Sequence, residues 1–386
     1  MEKAEMNRSK VLVVEDHPMS RRILETMLTK NYNVISAESG KEAIEKAQVE
    51  PPDLVLLDIE MPGLNGFETL AILKSGIIQP AVPVIFLTAL EDSKSRETGL
   101  EAGAVDYITK PYDRQELRIK VKNHLALYEA RKEIEAKNRV MAREMEMASQ
   151  LQRSLLPEEF PVVDRIKFAA LYKPVSPAGG DFYDVIELGS SVIGFAEVDV
   201  SGHGVASAMV GAMFKMAFQS FANTTRSPAE LLRVINDQMF GILPDSDFLT
   251  VFYGIIDLQT LELVYTNAGH PKPMLFRSRD EEIEELGVGG PLVGALMGMD
   301  YEEDRIQLNS GDRILIFTDG VTEASPAIEQ EDSDEFYGIE RLKEKFLVNS
   351  TLESKDILKV VMDDLIAYHG SQSFDDDITI FLASIV

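Results

Sequence analysis

Short apolar runs alternate with helical patterns from about Lys10 to Leu127, and that alternation constrains the fold more than any other feature of the chain. The strand candidates are Val11–Val14, Asn33–Ser36, Leu54–Leu57, Val84–Leu87 and Val105–Ile108. Between them, segments such as Met19–Leu28 and Gly66–Lys74 carry apolar residues at helical spacing. Mostly apolar strands need cover on both faces. The pattern predicts a five-stranded parallel sheet, doubly wound, of the α/β class.

No glycine or proline interrupts the chain from Asp113 to Leu156, which predicts one long helix ending before Pro157. Positions 127, 131, 134, 138, 141, 145, 148, 152 and 155 form a heptad seam, and six of the nine are apolar. This predicts a dimeric coiled coil whose polar Asn138 and Gln152 set register or ease switching. A single amphipathic connecting helix is the alternative. From about Pro161 strand patterns dominate: Val192–Val198, Phe248–Ile256, Leu261–Thr266, Arg313–Phe317 and Ile378–Ile385. Asp257–Leu261 reads as a hairpin turn, and helices are expected at Val205–Phe221, Ala229–Phe240 and Asp356–Tyr368. Strand runs with interspersed helix pairs predict an α+β domain with helices on antiparallel sheets. The expected division is 9–127, a linker over 128–160, and 161–386.

A net charge of −27 argues against nucleic acid or an anionic membrane as partner. The chain has no cysteine, hence no disulfide or thiolate zinc site. No apolar run reaches the ~20 residues of a membrane span, and Met1–Lys10 is unlike a signal peptide. The expected location is the cytoplasm. The acidic runs Asp280–Glu285 and Glu329–Glu335 read as solvated surface, and Gly287–Gly298 as a long loop. Met209–Met216 is spaced like a buried core helix.

Polar residues end four of the five N-terminal strands: Glu15-Asp16, Asp58, Thr88 and Lys110-Pro111. All four lie on the carboxyl edge of the sheet, where ligands bind. Glu15, Asp16 and Asp58 could hold one Mg²⁺, with Lys110 and Thr88 binding a phosphoryl group. Taken singly, Asp58 fits a turn or helix cap; the joint pattern is what points to chemistry. Val-Val-Glu-Asp-His, Leu-Leu-Asp-Ile-Glu-Met-Pro-Gly, Phe-Leu-Thr-Ala and Asp-Tyr-Ile-Thr-Lys-Pro together resemble the receiver domain of two-component response regulators. The resemblance implies that Asp58 is the phosphoacceptor, that Glu15 and Asp16 are Mg²⁺ carboxylates, and that Lys110 pairs with phosphate. It also implies a Thr88–Tyr107 switch pair and a cis Lys110–Pro111 peptide.

A second set of aspartates is dispersed through the C-terminal part: Asp181, Asp199, Asp319 and Asp376, with glycines beside the first three. Dispersed carboxylates of this kind suit a two-metal phosphoryl-transfer site; any one Asp-Gly pair taken singly fits a hairpin turn better, but four together do not. Ser-Leu-Leu-Pro at 154–157, Gly-Gly-Asp-Phe-Tyr-Asp, Asp-Val-Ser-Gly-His-Gly, Asn-Ala-Gly-His-Pro, Thr-Asp-Gly-Val-Thr-Glu and Phe-Asp-Asp-Asp-Ile-Thr resemble the bacterial PPM (PP2C-like) serine/threonine phosphatases of the sporulation and stress-response type. The resemblance implies two stacked antiparallel sheets flanked by helices. It implies two Mn²⁺ or Mg²⁺ held by Asp181, Asp199, Asp319, Asp376 and the Val200 backbone carbonyl, with Asp184 and Asp377 as second choices. His203 could protonate a leaving serine oxygen or cap a turn, whereas His270 reads as structural.

Together the two resemblances imply a histidine kinase upstream, a homodimer through the linker, and a phosphorylated anti-sigma factor antagonist as substrate. The alternative is a non-catalytic adaptor with a phosphatase-like domain. The presence of all four ligand aspartates favours catalysis.

Overall fold

The structure, a computed structural model, describes residues 8–89, 102–202, 204–243, 247–326 and 336–386. The chain forms two compact units, Met1–Val140 and Met141–Val386.

In the first unit, β1 (Lys10–Val14), β2 (Asn33–Ala37), β3 (Leu54–Asp58), β4 (Val84–Ala89) and β5 (Asp106–Lys110) form a parallel sheet in the order β2-β1-β3-β4-β5. Successive strand residues point to opposite faces, and both faces are apolar. Val11, Val13, Leu54, Leu56, Ile85 and Leu87 pack against α1 (Pro18–Leu28) and the start of α4 (Arg114–Arg153). Leu12, Val14, Val55, Leu57, Val84 and Phe86 pack against α2 (Gly40–Val49) and α3 (Gly66–Ile72). The caps explain where the helices start. Ser39 accepts from the Glu42 N–H at 3.3 Å, and Asn65 and Glu68 form a capping box at 2.9 and 3.0 Å. The strand expected at Val105–Ile108 begins one residue later and runs on to Lys110.

In the second unit, β6 (Ile166–Lys173) belongs to one antiparallel sheet and β7 (Phe182–Gly189) and β8 (Val192–Val200) to the other. Helices α5 (Val205–Phe221) and α6 (Pro228–Met239) follow, then β9 (Leu249–Asp257), β10 (Glu262–Ala268), β11 (Met274–Arg277), β12 (Glu282–Glu285), β13 (Gly289–Gly290), β14 (Asp304–Gln307) and β15 (Arg313–Phe317). The short α7 (Asp319–Thr322), α8 (Ile339–Val348), α9 (Ser354–His369) and β16 (Ile378–Ile385) complete it. One sheet runs β13-β10-β9-β8-β7, with β14 on β10; the other runs β12-β11-β15-β16-β6. Phe195 and Phe381, one from each sheet, stack with ring centres 6.0 Å apart in the core between them. Helices α5 and α6 cover the first sheet, and α8 and α9 the second. The result is the helix–sheet–sheet–helix sandwich expected of the resemblance.

The acidic run at Asp280–Glu285 is exposed, as expected, and forms a turn and an edge strand pairing with β11; Glu329–Glu335 lies outside the described residues. Two expectations change. Met209 and Met216 are 63% and 70% exposed, so the Met-rich face of α5 is only partly core. The heptad seam does not continue through Gln152, which is buried within the second unit. Along α4, Leu117, Val121, Leu125 and Tyr128 are buried, residues 131–144 are all exposed, and Ser149 and Gln152 are buried again. The exposed stretch still carries Ile134 and Met141 at heptad spacing.

Candidate functional site

The carboxyl ends of β1, β3, β4 and β5 converge where the strand order reverses. Glu15, Asp16 and Asp58 bring one carboxylate oxygen each within 4.8 Å of one another, an all-oxygen set that fits Mg²⁺. Lys110 Nζ lies 2.6 Å from Asp58 Oδ2 and 2.9 Å from Glu15 Oε2. Burial pushes the Asp58 carboxyl up to about 6; the Lys110 hydrogen bond pulls it down, and Glu15 raises it further. Thr88 donates to the Ala89 carbonyl at 3.3 Å, and Tyr107 is half-buried on β5. The Lys110–Pro111 peptide is cis. Sequence reasoning passed over Tyr112, whose hydroxyl donates to Glu15 at 2.5 Å, and Lys120 of α4. Lys120 pairs with Asp106 at 2.8 Å, donates to the Tyr107 carbonyl at 2.6 Å and lies 4.7 Å from the Tyr107 ring centre.

The second cluster forms where the two antiparallel sheets meet. Asp181 precedes β7, Asp199 lies near the end of β8, Asp319 opens α7 and Asp376 precedes β16. Asp181 belongs to the first sheet's edge, yet its Oδ2 accepts from Thr318 at 2.9 Å and Thr379 at 2.5 Å, both of the second. Burial drives its carboxyl well above the ordinary range, and the Asp199 and Asp377 charges add to this. Burial, then Asp319 and Asp376, push the Asp199 carboxyl up to about 7, while a hydrogen bond with Asp181 opposes the shift. Asp319 is raised by burial and by Asp376. Carboxyls that hold one another above their usual range lack neutralising charge. A divalent cation with hard oxygen ligands supplies it, so the donor set fits Mg²⁺ or Mn²⁺. A Cβ on Gly180 would lie 2.7 Å from the Val200 carbonyl oxygen, so only glycine allows this approach.

The secondary candidates divide. Asp377 is adjacent, but its Oδ1 and Oδ2 accept from the Val175 and Gly180 N–H groups at 2.7 and 2.6 Å, so both oxygens are committed to the backbone. Asp184 points elsewhere. It pairs with Lys215 of α5 at 3.4 Å and accepts from Gln219 at 3.4 Å, which removes it from the ligand set. His203 lies outside the described residues. His270 is buried, with Nδ1 2.8 Å from the Thr250 hydroxyl, and burial pushes it down to about 3. Its backbone N–H donates to Asn267 at 2.8 Å, which is the expected tight turn.

Gln152 had been read as a coil position. Its side-chain amide donates to the Asp181 carbonyl at 3.3 Å and to the Tyr172 hydroxyl at 3.0 Å. Thr318 and Thr379 stand inside the aspartate motifs, and that proximity was the one sequence signal for them. A Cβ on Gly320 would meet the Asp377 carbonyl oxygen at 2.1 Å. Gly320→Ala is therefore expected to destabilise the second unit by about 1–3 kcal/mol through overpacking and to weaken Mn²⁺ binding. Urea unfolding with and without Mn²⁺ measures both, and a variant with wild-type stability contradicts the close approach.

These two architectures define a class, a response regulator receiver domain followed by a domain of PP2C-like fold. The chain belongs to the Stage II sporulation protein E (SpoIIE) family, whose sequence profile matches residues 190–386; the response regulator receiver domain profile matches 11–122. Protein IcfG of Synechocystis sp. is 27% identical over 271 residues, covering 63% of this chain and 42% of IcfG. Phosphoserine phosphatase RsbU of Bacillus subtilis is 27% identical over 236 residues, covering 60% of this chain and 68% of RsbU. The SiaA-PP2C domain of Pseudomonas aeruginosa superposes with a TM-score of 0.55 at 21% identity, covering 65% of this chain and 99% of that domain, and shares the fold. Among the described residues, no helix is long and apolar enough to cross a membrane.

Proposed function

We propose that this chain is a phosphorylation-controlled, metal-dependent protein serine/threonine phosphatase, with a receiver over 9–127, a linker over 128–160 and a phosphatase domain over 161–386. One observation carries the catalytic reading: Asp181 accepts from Thr318 and Thr379, the residues beside Asp319 and close after Asp376, which ties the aspartate motifs of the two sheets together. Asp181, Asp199, Asp319, Asp376 and the Val200 carbonyl would hold two Mn²⁺ or Mg²⁺ ions. Bound there, such ions activate water and neutralise the phosphoryl oxygens. The chain's own part is to fix the ligands. Thr318 and Thr379 orient Asp181, and the glycines let backbone close on the site. In hydrolysis the water oxygen bonds to phosphorus, the bond to the serine oxygen breaks, and that oxygen takes a proton.

The receiver supplies control. Glu15, Asp16 and Asp58 would hold one Mg²⁺. An Asp58 oxygen attacks a histidine kinase's phosphohistidine, the P–N bond breaks and the imidazole leaves. Lys110 then pairs with the phosphoryl group, Thr88 turns toward it, and Tyr107 reorients beneath Lys120. Because α4 carries both Lys120 and Gln152, a shift begun at Tyr107 can reach the Asp181 loop. The exposed Ile134 and Met141 suit a homodimer through the linker. The likeness to a phosphoserine phosphatase supports a phosphoserine substrate; a phosphoserine or phosphothreonine on an anti-sigma factor antagonist is the specific candidate that the sequence resemblance implies.

The test is Mn²⁺-dependent hydrolysis of an aryl phosphate and of a phosphorylated antagonist protein, before and after Asp58 is phosphorylated by a small phosphoryl donor. Turnover is expected in the wild type, with a change on phosphorylation that Asp58→Ala abolishes. No turnover above that of an Asp199→Ala/Asp376→Ala variant in either state would leave the adaptor reading standing.

A further inference from the structure

Strand β6 lies at the edge of its sheet. β16 pairs along one side of it, and among the described residues no backbone group hydrogen-bonds to its other side between Phe168 and Leu171. Antiparallel pairing uses the N–H and C=O of alternate residues, so those of the remaining residues face outward. Such an edge is a template for another strand, and proteins usually blunt it with charge, proline or cover. The far edge of the same sheet is blunted in this way, since β12 carries Glu282, Glu284 and Glu285. The middle of β6 is not. Residues Phe168, Ala169, Ala170 and Leu171 carry no charge, and the two alanines leave room beside the backbone.

A groove of about 690 Å³ runs along this stretch, within the range of ligand-binding clefts. Residues 157–162 form one wall and α9 the other. We propose that the groove takes an extended segment of a partner protein, acidic on one face, which adds to β6 as a further strand. An extended backbone is what the row of outward N–H and C=O groups matches. The alternation of β6 sets the two faces of the incoming strand. Phe168 and Ala170 point toward the core between the sheets, where Phe160 packs on Phe168 and Tyr183 with ring centres 5.9 and 6.0 Å apart. Ala169 and Leu171 point toward α9. One face of the added strand therefore meets Phe160 and Tyr183 and is apolar.

The other face meets α9. There Lys355 and Lys359 are exposed, one turn apart, and neither has an ion-pair partner among the described residues. Asp363 lies a further turn along the same wall, and Glu158 and Glu159 belong to the opposite wall, so acidic side chains fit opposite the two lysines alone. A second copy of β6 is a poorer occupant. Two-fold pairing of identical strands sets Lys167 of one copy beside Lys173 of the other, and like charges opposed across a ladder destabilise it.

The test uses the whole protein and a peptide probe, Val-Asp-Val-Asp-Val-Asp-Val, beside a scramble of the same composition. Two N-methylated forms of the probe carry the methyl groups on the valine amides or on the aspartate amides. Binding is read by fluorescence anisotropy and by backbone amide hydrogen exchange. The alternating peptide is expected to protect amides between Phe168 and Leu171, and the scramble is not. One N-methylated form should bind about 10-fold more weakly than the other, because only one set of amides points at β6. Lys355→Glu/Lys359→Glu should weaken the probe about 5-fold at low salt. Amides left unprotected by the alternating peptide, or N-methylated forms that bind alike, overturn the added strand. Binding that the double lysine variant does not weaken overturns the acidic partner. Amides protected without peptide and released on dilution make a second copy the occupant and overturn the proposal. The N-methyl comparison needs only the wild-type protein, so it decides the matter even where the variant misfolds. No readout uses turnover or metal, so failure here leaves the phosphatase reading untouched.

Discussion

Asp199→Asn is expected to lower the proposed Mn²⁺-dependent phosphatase turnover by orders of magnitude while leaving the metal-free fold at least as stable as the wild type. Asparagine matches aspartate in volume, so no cavity opens, and it removes the carboxyl that burial, Asp319 and Asp376 push up to about 7. In the metal-free protein near pH 8 that carboxyl ionises against its surroundings, and losing it relieves repulsion. With metal the balance reverses. An ion in such a site is worth several kcal/mol in the transition state, and each 1.36 kcal/mol is tenfold in rate. The expected loss is therefore on the order of 10²–10³-fold or more. Unfolding in EDTA and turnover in Mn²⁺ are read on one preparation. A variant that keeps its turnover, or loses turnover only because it unfolds, refutes the ligand assignment.

The second large effect is on pH dependence. In EDTA, the stability of the phosphatase unit is expected to fall as pH rises from about 4 to about 8. Asp199 has its folded pKa raised above the unfolded value of about 3.9, to about 7. Asp181 and Asp319 are raised as well. A carboxyl raised by folding contributes stability that is fully present below the unfolded pKa and lost as pH climbs through the folded one. Asp364 has the opposite sign. Burial raises it, but hydrogen bonds from Arg341, Lys345 and Tyr337 hold it down to about 2, so its contribution is lost only at still lower pH. Saturating Mn²⁺ should cancel the decline. At 100 times its dissociation constant a ligand adds about 2.7 kcal/mol, and Mn²⁺ should bind better at pH 8 than at pH 5, where protons compete for the carboxylates. Urea unfolding from pH 5 to 8, with EDTA or Mn²⁺, measures this. A metal-free stability that is flat or rises across that range counts against the carboxylate cluster.

The parallel sheet was legible because each of its strands is a short run between turn signals, and the reversal of strand order puts Glu15, Asp16, Asp58 and Lys110 at one edge. The phosphatase strands β9, β10, β15 and β16 were equally legible from their apolar runs. The sequence pattern did not resolve β6, β7, β11, β12, β13 or β14. Arg277 in β11 and Arg305 in β14 are charged residues carried by short strands, and pairing with neighbours far along the chain is what makes these segments strands. Helix α8 was missed beside the undescribed segment 327–335.

By itself, the sequence determined the two domain types and the seven carboxylates that carry the proposed chemistry, because residue type and motif order are local properties. Tertiary structure alone decided which neighbours those carboxylates have. It committed Asp377 to two amides and Asp184 to Lys215, and brought Thr318 and Thr379 to Asp181. It also buried Gln152 against the Asp181 carbonyl. The reason is physical. A hydrogen bond between groups more than a hundred residues apart, such as Thr318 and Asp181, depends on how two sheets stack, and no periodicity along the chain records that.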